Sequence, residues 1–256
     1  VYLACPPVPR KAYSIAAADA GKAVFLEKPL GVDVEESKAL VAHLAASGVP
    51  AAVNFTQAAG AALTGVDHAA KSGDMGDILG ADIVVTYHAW PRAWQKAADW
   101  LRFREEGGMT REVISHFLFF SERILGPLSV RWACPSYPED DRLCETHMLA
   151  RLENDKGQAV SVMASVGGAQ PDRQELTIKG SRASRRISEF FIDAVSDGGP
   201  FTEVAERPSD PRATSLKAQL DDLLLCIDGK PHRLATPEEA LRVQILIEQM
   251  LAGSGN

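Results

Sequence analysis

The sequence predicts an α/β protein: the second half of a doubly wound Rossmann domain, built on a parallel sheet, followed by an α+β domain with a largely antiparallel sheet. Two observations support this fold class. Strand-like and helix-like segments alternate over about the first 55 residues, as the crossover connections of parallel strands require. After Gln57, strand-like segments follow one another without intervening helices, which is typical of antiparallel pairing. The predicted domains are therefore residues 1–56 and 57–256.

The first domain contains three short apolar strands and two helices. The segments "VYLACPP", "KAVFLE" and "PAAVNF" suit buried parallel strands. Between the first two, a helix begins at Pro9 and ends before Gly21, where a left-handed C-cap is favoured. Asp33 and Glu36 form an N-terminal capping pair for the second helix, which ends at Gly48. This order places the carboxyl ends of all three strands at one edge of the sheet.

The second domain is predicted to combine helices with consecutive strands. A long strand lies within "DILGADIVVTYHAW", and two helices close the chain. The last helix begins at "TPEE", which supplies a cap, a first-turn proline and two acids at the positive end of the helix dipole. The remaining elements are helices over about 58–72 and 110–125 and strands near 128–134, 143–153, 157–166 and 173–179.

Composition argues against nucleic acid and membranes as partners. The chain has 27 basic and 34 acidic residues and a net charge of −7, which gives no positive surface for nucleic acid or an anionic membrane. The longest uncharged span, residues 44–66, contains Pro50 and Gln57 and lacks the continuous apolar character of a membrane helix. Four scattered cysteines without Cys-x-x-Cys spacing predict reduced, hydrophobic side chains, no metal site and a cytoplasmic protein.

The stretch Glu27-Lys28-Pro29 ends the second buried strand with charged residues. Ligands of open parallel sheets bind outside the carboxyl ends of the strands, so Lys28 is expected to face a cleft. The alternative is a charged turn in which Lys28 is solvated and paired with Glu27. The three residues alone do not decide between these interpretations.

A longer pattern favours the cleft. The segments "VYLACPP", "GKAVFLEKPLGVDVEES", "AASGVPAAVNF" and "GGMTREVISHFLFFSERILGP" together strongly resemble the Gfo/Idh/MocA family of oxidoreductases. The resemblance runs from Val1 to the C-terminal "HRLATPEEALRVQ" and keeps the order and approximate spacing of the segments. It implies an NAD(P)-dependent dehydrogenase as the parent protein.

The resemblance also implies three catalytic residues: Lys28, Glu112 and His116. In that family the lysine lies beside the nicotinamide and the reacting carbon, and an acid and a histidine four residues apart on a helix complete the site. The spacing alone places Glu112 and His116 on one helix face, so that the carboxylate can orient the imidazole and stabilise its protonated form. The alternative for His116 is a satisfied core histidine. The family usually carries aspartate at the position of Glu112.

The implied cofactor is NAD or NADP, and the resemblance suggests a cis Lys28-Pro29 bond. The family's Gly-x-Gly-x-x-Gly fingerprint is absent from the 256 residues, and the chain begins with Val1. We therefore expect that roughly 60 to 70 residues belong before it, and that this fragment binds the cofactor poorly and is inactive. The residues assigned to the cofactor are Cys5, Pro6, Pro7, Glu27, Lys28, Pro29 and Asn54.

The aromatic and cationic segment "YHAWPRAWQKAADW" is assigned to the substrate. Aromatic rings stack on the apolar faces of sugars, and polar side chains bind hydroxyls. Trp90, Arg92 and Trp94 are the predicted contacts, and a sugar or polyol is the expected ligand. The alternative is packing on a neighbouring subunit, since the open sheets of the family often pair into homo-oligomers, dimers or tetramers.

Two function classes stay open at this point. Oxidation of a hydroxyl needs a base as well as hydride transfer, and a histidine with an unperturbed pKa near 6.5 suits that role. The sequence does not divide the proton transfer between Lys28 and His116. The alternative function is a non-catalytic ligand sensor on the same fold, which has no need of a lysine and a base at reacting distance.

Overall fold

Two β-sheets form the framework of the chain. One is parallel with three strands, and the other is mostly antiparallel with eight. The computed structural model describes residues 1–95 and 97–253, and this arrangement confirms the predicted fold class. Within those residues, every helix is too short or too polar to cross a membrane.

The smaller sheet has the order β1-β2-β3, and all of its pairs are parallel. Its strands are β1 (Tyr2–Leu3), β2 (Val24–Glu27) and β3 (Ala51–Asn54), joined by helices α1 (Pro7–Asp19) and α2 (Val34–Ser47). The middle strand is almost entirely buried, as its apolar sequence predicts. The carboxyl ends of the three strands therefore share one edge.

The predicted helix boundaries follow from local hydrogen bonds. Asp33 caps α2 by accepting from the Glu36 N–H at 2.7 Å, and Gly48 ends that helix with φ 67°. The last helix, α6 (Pro237–Ala252), has a complete capping box between Thr236 and Glu239. Both starts were predicted, because a polar cap and an acid three residues later satisfy the first free N–H groups.

The larger sheet has the order β11-β10-β9-β8-β4-β7-β6-β5. Among the described strands of this larger sheet, only β4 and β7 pair in parallel. The sequence predicted β4 to β8 but not β9 to β11. The strands are β4 (Ile78–Tyr87), β5 (Leu128–Ser136), β6 (His147–Asn154), β7 (Ala159–Val166), β8 (Arg173–Gly180), β9 (Ser184–Ser188), β10 (Ile192–Ser196) and β11 (Thr202–Glu203).

One face of this sheet packs against helices, which include α3 (Ala61–Ser72) and α4 (Ser115–Leu125), and forms the main core. A π-helical turn (Thr110–Ile114) leads directly into α4. Helix α5 (Pro211–Ile227) and α6 both contact β3 of the smaller sheet. Because α6 also contacts α4 and the π turn, it joins the parallel sheet to the start of α4.

Candidate active site

Lys28 lies at the end of β2 and is buried, with 9% of its surface exposed. Its Nζ donates to Glu112 Oε2 at 2.5 Å and to the Glu112 carbonyl at 2.7 Å. The Lys28-Pro29 bond is cis, as the family resemblance suggested. The interpretation as a solvated turn paired with Glu27 is wrong, because the ammonium is buried and bonded to Glu112.

The other turns at the rim are tied together by polar contacts. The Arg10 guanidinium donates to the carbonyls of Cys5 and Pro29. Glu27 accepts from Asn54 Nδ2 at 2.7 Å and from the hydroxyl of Tyr2. Burial and then the Glu27 carboxylate raise the pKa of Tyr2 to about 12. Arg10 and Tyr2 were missed by the sequence analysis, since an arginine in an alanine-rich helix carries no signal of burial.

Glu112 and His116 do not have the relation that their spacing predicted. Glu112 gives its carboxylate to Lys28, and His116 Nδ1 is buried without a hydrogen-bond partner in the described structure. Glu112 lies within a π turn, Thr110–Ile114, and its carboxylate is bonded to Lys28 Nζ at 2.5 Å, so it is engaged away from the imidazole. Glu112 therefore positions the lysine instead of the histidine.

His116 occupies an aromatic recess at the wall of a cleft. The centres of the Phe55 and Phe190 rings lie 5.7 and 5.5 Å from its ring centre, and both contacts are edge-to-face. Burial lowers the pKa of His116 well below its usual range, and the charges of Lys28 and Arg92 lower that pKa further. The imidazole is therefore neutral at neutral pH. With Nδ1 buried, Nε2 is the atom through which it meets a ligand.

A buried ion pair holds the π turn in place. Arg111 donates two hydrogen bonds to Glu248 of α6, at 2.7 and 2.8 Å, and a third to the Gly107 carbonyl at 2.9 Å. Bidentate arginine–carboxylate pairs combine strength with geometric precision. The position of Glu112, the residue after Arg111, therefore depends on the contact between the π turn and α6.

The cleft has a volume of about 700 Å³ and is walled by both parts of the chain. From the sequence-predicted set, Asn54, Arg92, Trp94, Glu112 and His116 line it. Its further lining includes residues that the sequence analysis missed, among them Gln174, Glu189, Phe190, Asp210, Arg212 and Gln219. These come from β8, the β9–β10 turn and the start of α5, where no motif marked them.

Several predicted residues lie outside the cleft lining. Lys28 sits behind Glu112 and lines a small gap with Pro29. Trp90 packs on Tyr87 and donates to the Leu101 carbonyl at 3.0 Å. Among the cofactor assignments, Asn54 lines the cleft, whereas Cys5, Pro6, Pro7 and Glu27 do not.

Comparisons with known proteins agree with this architecture. Residues 1–55 match the model of an oxidoreductase family with an NAD-binding Rossmann fold, GFO_IDH_MocA. No curated protein matches the sequence. The family match and the structural neighbours below confirm the resemblance to Gfo/Idh/MocA oxidoreductases.

Three solved structures illustrate the likeness of fold. KijD10, a 3-ketoreductase from Actinomadura kijaniata in complex with NADP and TDP-benzene, is 20% identical with a TM-score of 0.77, covering 99% of this chain and 77% of that one. An oxidoreductase from Agrobacterium radiobacter with NAD+, L-tartaric acid and magnesium is 17% identical with a TM-score of 0.79, covering 97% and 75%. The WlbA dehydrogenase from Bordetella pertussis with NADH and UDP-GlcNAcA is 20% identical with a TM-score of 0.75, covering 98% and 74%.

Proposed function

Because the N-terminal 55 residues match an NAD-binding oxidoreductase family, we propose that the protein transfers a hydride between a nicotinamide cofactor and a sugar, polyol or similar hydroxylated small molecule. One observation carries the proposal: Lys28 and Glu112 form a buried pair directly beside His116, at the junction of the parallel sheet and the cleft. A neutral imidazole in the cleft wall can accept the proton that alcohol oxidation releases, and the lysine behind Glu112 supplies a positive charge near that wall.

The rim of the parallel sheet fits the nicotinamide end of the cofactor. Asn54 Nδ2 donates to Glu27, which fixes the amide so that Oδ1 faces away from that carboxylate, and Oδ1 is buried with no partner among the described residues. An amide or ribose hydroxyl would satisfy this acceptor. Lys28, Pro29 and Asn54 are the residues that would hold this end, and bound NAD(P) supplies the hydride chemistry.

We assign to His116 the role of accepting the proton of the substrate hydroxyl. Oxidation of a carbinol breaks its C–H bond, whose electron pair leaves as hydride, and its O–H bond, whose proton needs an acceptor. His116 is neutral at neutral pH, so Nε2 accepts that proton. Lys28, held by Glu112, places a fixed positive charge near the oxygen as its negative charge develops.

The test is turnover of the full-length protein with NAD(P)+ and a panel of sugars and polyols. His116→Ala and Lys28→Ala are each expected to lower kcat by about 100-fold or more, the usual size of a proton-transfer contribution. His68→Gln, a change of an exposed histidine on α3, is the matched control and should leave kcat unchanged. Turnover of both alanine variants at the original rate would show that Lys28 and His116 do not carry the chemistry. Substrate binding by the original protein without turnover of any member of the panel would identify a sensor on a dehydrogenase fold.

We also propose that the protein forms a homo-oligomer through the open face of its larger sheet. Leu149 and Met163 are register partners on that face, with 47% and 41% of their surfaces exposed. Trp132 on β5 is 40% exposed. Neighbouring apolar side chains of this size on a sheet face favour burial against a second copy.

The four cysteines are free, which is consistent with the reducing cytoplasm as the compartment.

A further inference from the structure

Arg92 is a nearly buried cation whose charge is incompletely neutralised. Its side chain is 11% exposed, and its ion pair is a 3.9 Å contact with Glu112 Oε1. That carboxylate is already bonded to Lys28 at 2.5 Å. Buried charges are normally paired at hydrogen-bond distance, because desolvation of an unpaired ion is costly. Arg92 therefore lacks a full partner of its own.

Other contacts fix the Arg92 guanidinium without neutralising it. Its Nε donates to Gln95 Oε1 at 2.9 Å. Its guanidinium carbon lies 5.3 Å from the Tyr87 ring centre and 4.6 Å from that of Trp94. The cation is thus held by neutral groups at the wall of the cleft, with its remaining N–H groups available to a ligand.

A second arginine meets the same indole. The guanidinium carbon of Arg212 lies 4.8 Å from the Trp94 ring centre. Since the corresponding Arg92 distance is 4.6 Å, less than about 10 Å separates the two guanidinium carbons. Within the described structure, no carboxylate pairs with Arg212. Both arginines line the cleft.

The acids that line the cleft are already engaged. Glu112 is bonded to Lys28, and Glu189 lies 3.8 Å from Arg207. The Asp210 carboxylate caps α5 by accepting from the Ala213 N–H at 2.9 Å. Among the described residues, Arg92 and Arg212 therefore line the cleft without a carboxylate at hydrogen-bond distance of their own, next to the N-terminal end of α5.

An independent feature shows that the same wall is built for a polar ligand. Gln219, two turns into α5, is 2% exposed and lines the cleft. Its Oε1 atom is buried and has no hydrogen-bond partner in the described part of the chain. A buried amide oxygen without a donor marks a position that a ligand hydroxyl or amide would fill.

From these contacts we infer that Arg92 and Arg212 bind an anionic group of the substrate against Trp94. The substrate class is therefore a hydroxylated small molecule that carries a carboxylate or a phosphate, such as a sugar acid or a sugar phosphate. Guanidinium groups bind both anions through paired N–H donors. This inference rests on the proposed function in so far as it identifies the bound anion as a substrate. Binding of an anion at this site does not itself require catalysis.

The test compares glycerol, D-glycerate and glycerol 3-phosphate, which share a three-carbon skeleton and differ in their anionic group. Binding to the full-length protein is measured by calorimetry without cofactor, at 50 and 300 mM NaCl. We expect at least one of the two anions to bind about tenfold or more tightly than glycerol, with a preference that shrinks at high salt. Tighter binding of D-glycerate would identify a carboxylate site, and tighter binding of glycerol 3-phosphate would identify a phosphate site.

Variants test which residues cause the preference for the anions over glycerol. R212A should abolish it, R212K should keep part of it, and R142A, a change of an exposed arginine paired with Asp140, should keep all of it. The Trp94 indole resonance, assigned with W94F, should shift on anion binding. Binding of both anions no tighter than glycerol, or an R212A protein with an intact preference, would overturn the inference. If R212A instead weakens NADH binding as strongly as anion binding, the arginines serve the cofactor and the inference is wrong.

These results separate the two proposals. A dehydrogenase of neutral polyols would fail the anion test and still depend on His116 for turnover. A sensor would pass the anion test and show no turnover that His116→Ala removes.

Discussion

At the residue scale, the position of His116 between aromatic edges and cations determines its chemistry. Lys28 and Arg92 both favour the neutral ring, and burial acts in the same direction. The initial expectation was the opposite, namely that Glu112 stabilises the protonated form. Because Glu112 is bonded to Lys28, His116 lacks that carboxylate and is neutral, which is the form that the proposed proton transfer requires.

This arrangement predicts a pH dependence of stability. The unfolded chain binds a proton at His116 below about pH 6.5, whereas the folded chain does not, so the free energy of unfolding falls as the pH drops below that value. Relative to His116→Gln, the original protein should lose about 1 kcal/mol between pH 7 and pH 5.5. Urea unfolding at both pH values measures this difference, with His68→Gln as control. A difference that is constant with pH would contradict a neutral buried His116.

Some residues of the candidate site were predicted from the sequence, but their partners were not. Lys28, Arg92 and Trp94 were identified from their places after buried strands, where ligands of such sheets bind. Arg212 was not, because an arginine at the start of a helix has no distinguishing pattern. The bond from Glu112 to Lys28 was missed because it joins residues 84 positions apart, whereas the spacing within "MTREVISH" indicates only local partners.

At the element scale, the β9–β10 hairpin shows how a strained turn shapes the cleft. Glu189 and Phe190 have φ of 50° and 68°, in the left-handed region that side chains with a Cβ rarely adopt. Gln57 donates to the Phe190 carbonyl at 3.1 Å, and the Phe190 ring stacks on Phe117 at 5.3 Å. These contacts hold the ring beside His116. The hairpin escaped prediction because "SEFFID" contains none of the glycine or asparagine that such turns favour.

The strain at Glu189 gives a test by paired substitution. Glu189→Gly should be more stable than Glu189→Ala by about 1 kcal/mol, because glycine adopts positive φ without the Cβ clash. Lys217, exposed within α5, is the matched control, and there glycine should be less stable than alanine by about 1 kcal/mol. Thermal or urea unfolding of the four variants decides. The same order at both positions would show that the turn is unstrained.

At the scale of the whole molecule, the two faces of the large sheet have different tasks. The inner face carries the core with α3 and α4 and supports the cleft. The outer face exposes the apolar side chains of Leu149 and Met163 and also carries the Lys179–Asp82 ion pair. A patch with apolar and paired charged groups is typical of an interface between subunits.

The proposed assembly is tested by placing charge on that patch. Leu149→Asp and Met163→Asp should each shift the particle from oligomer to monomer, because burial of an unpaired carboxylate in an interface is strongly unfavourable. Light scattering after size-exclusion chromatography measures the mass. Leu224→Asp is the control, since Leu224 is 65% exposed on α5, away from the sheet face. If Leu224→Asp separates the subunits and the two sheet variants do not, α5 is the interface.

The double attachment of Lys28 bears on how this position can diverge among related sequences. The ammonium is held by the main-chain oxygen of residue 112 as well as by its carboxylate. A main-chain oxygen is the same whichever amino acid the codon specifies. Exchange of Glu112 for the shorter aspartate is therefore expected to move one anchor and leave the other, so that the lysine keeps its main-chain hydrogen bond.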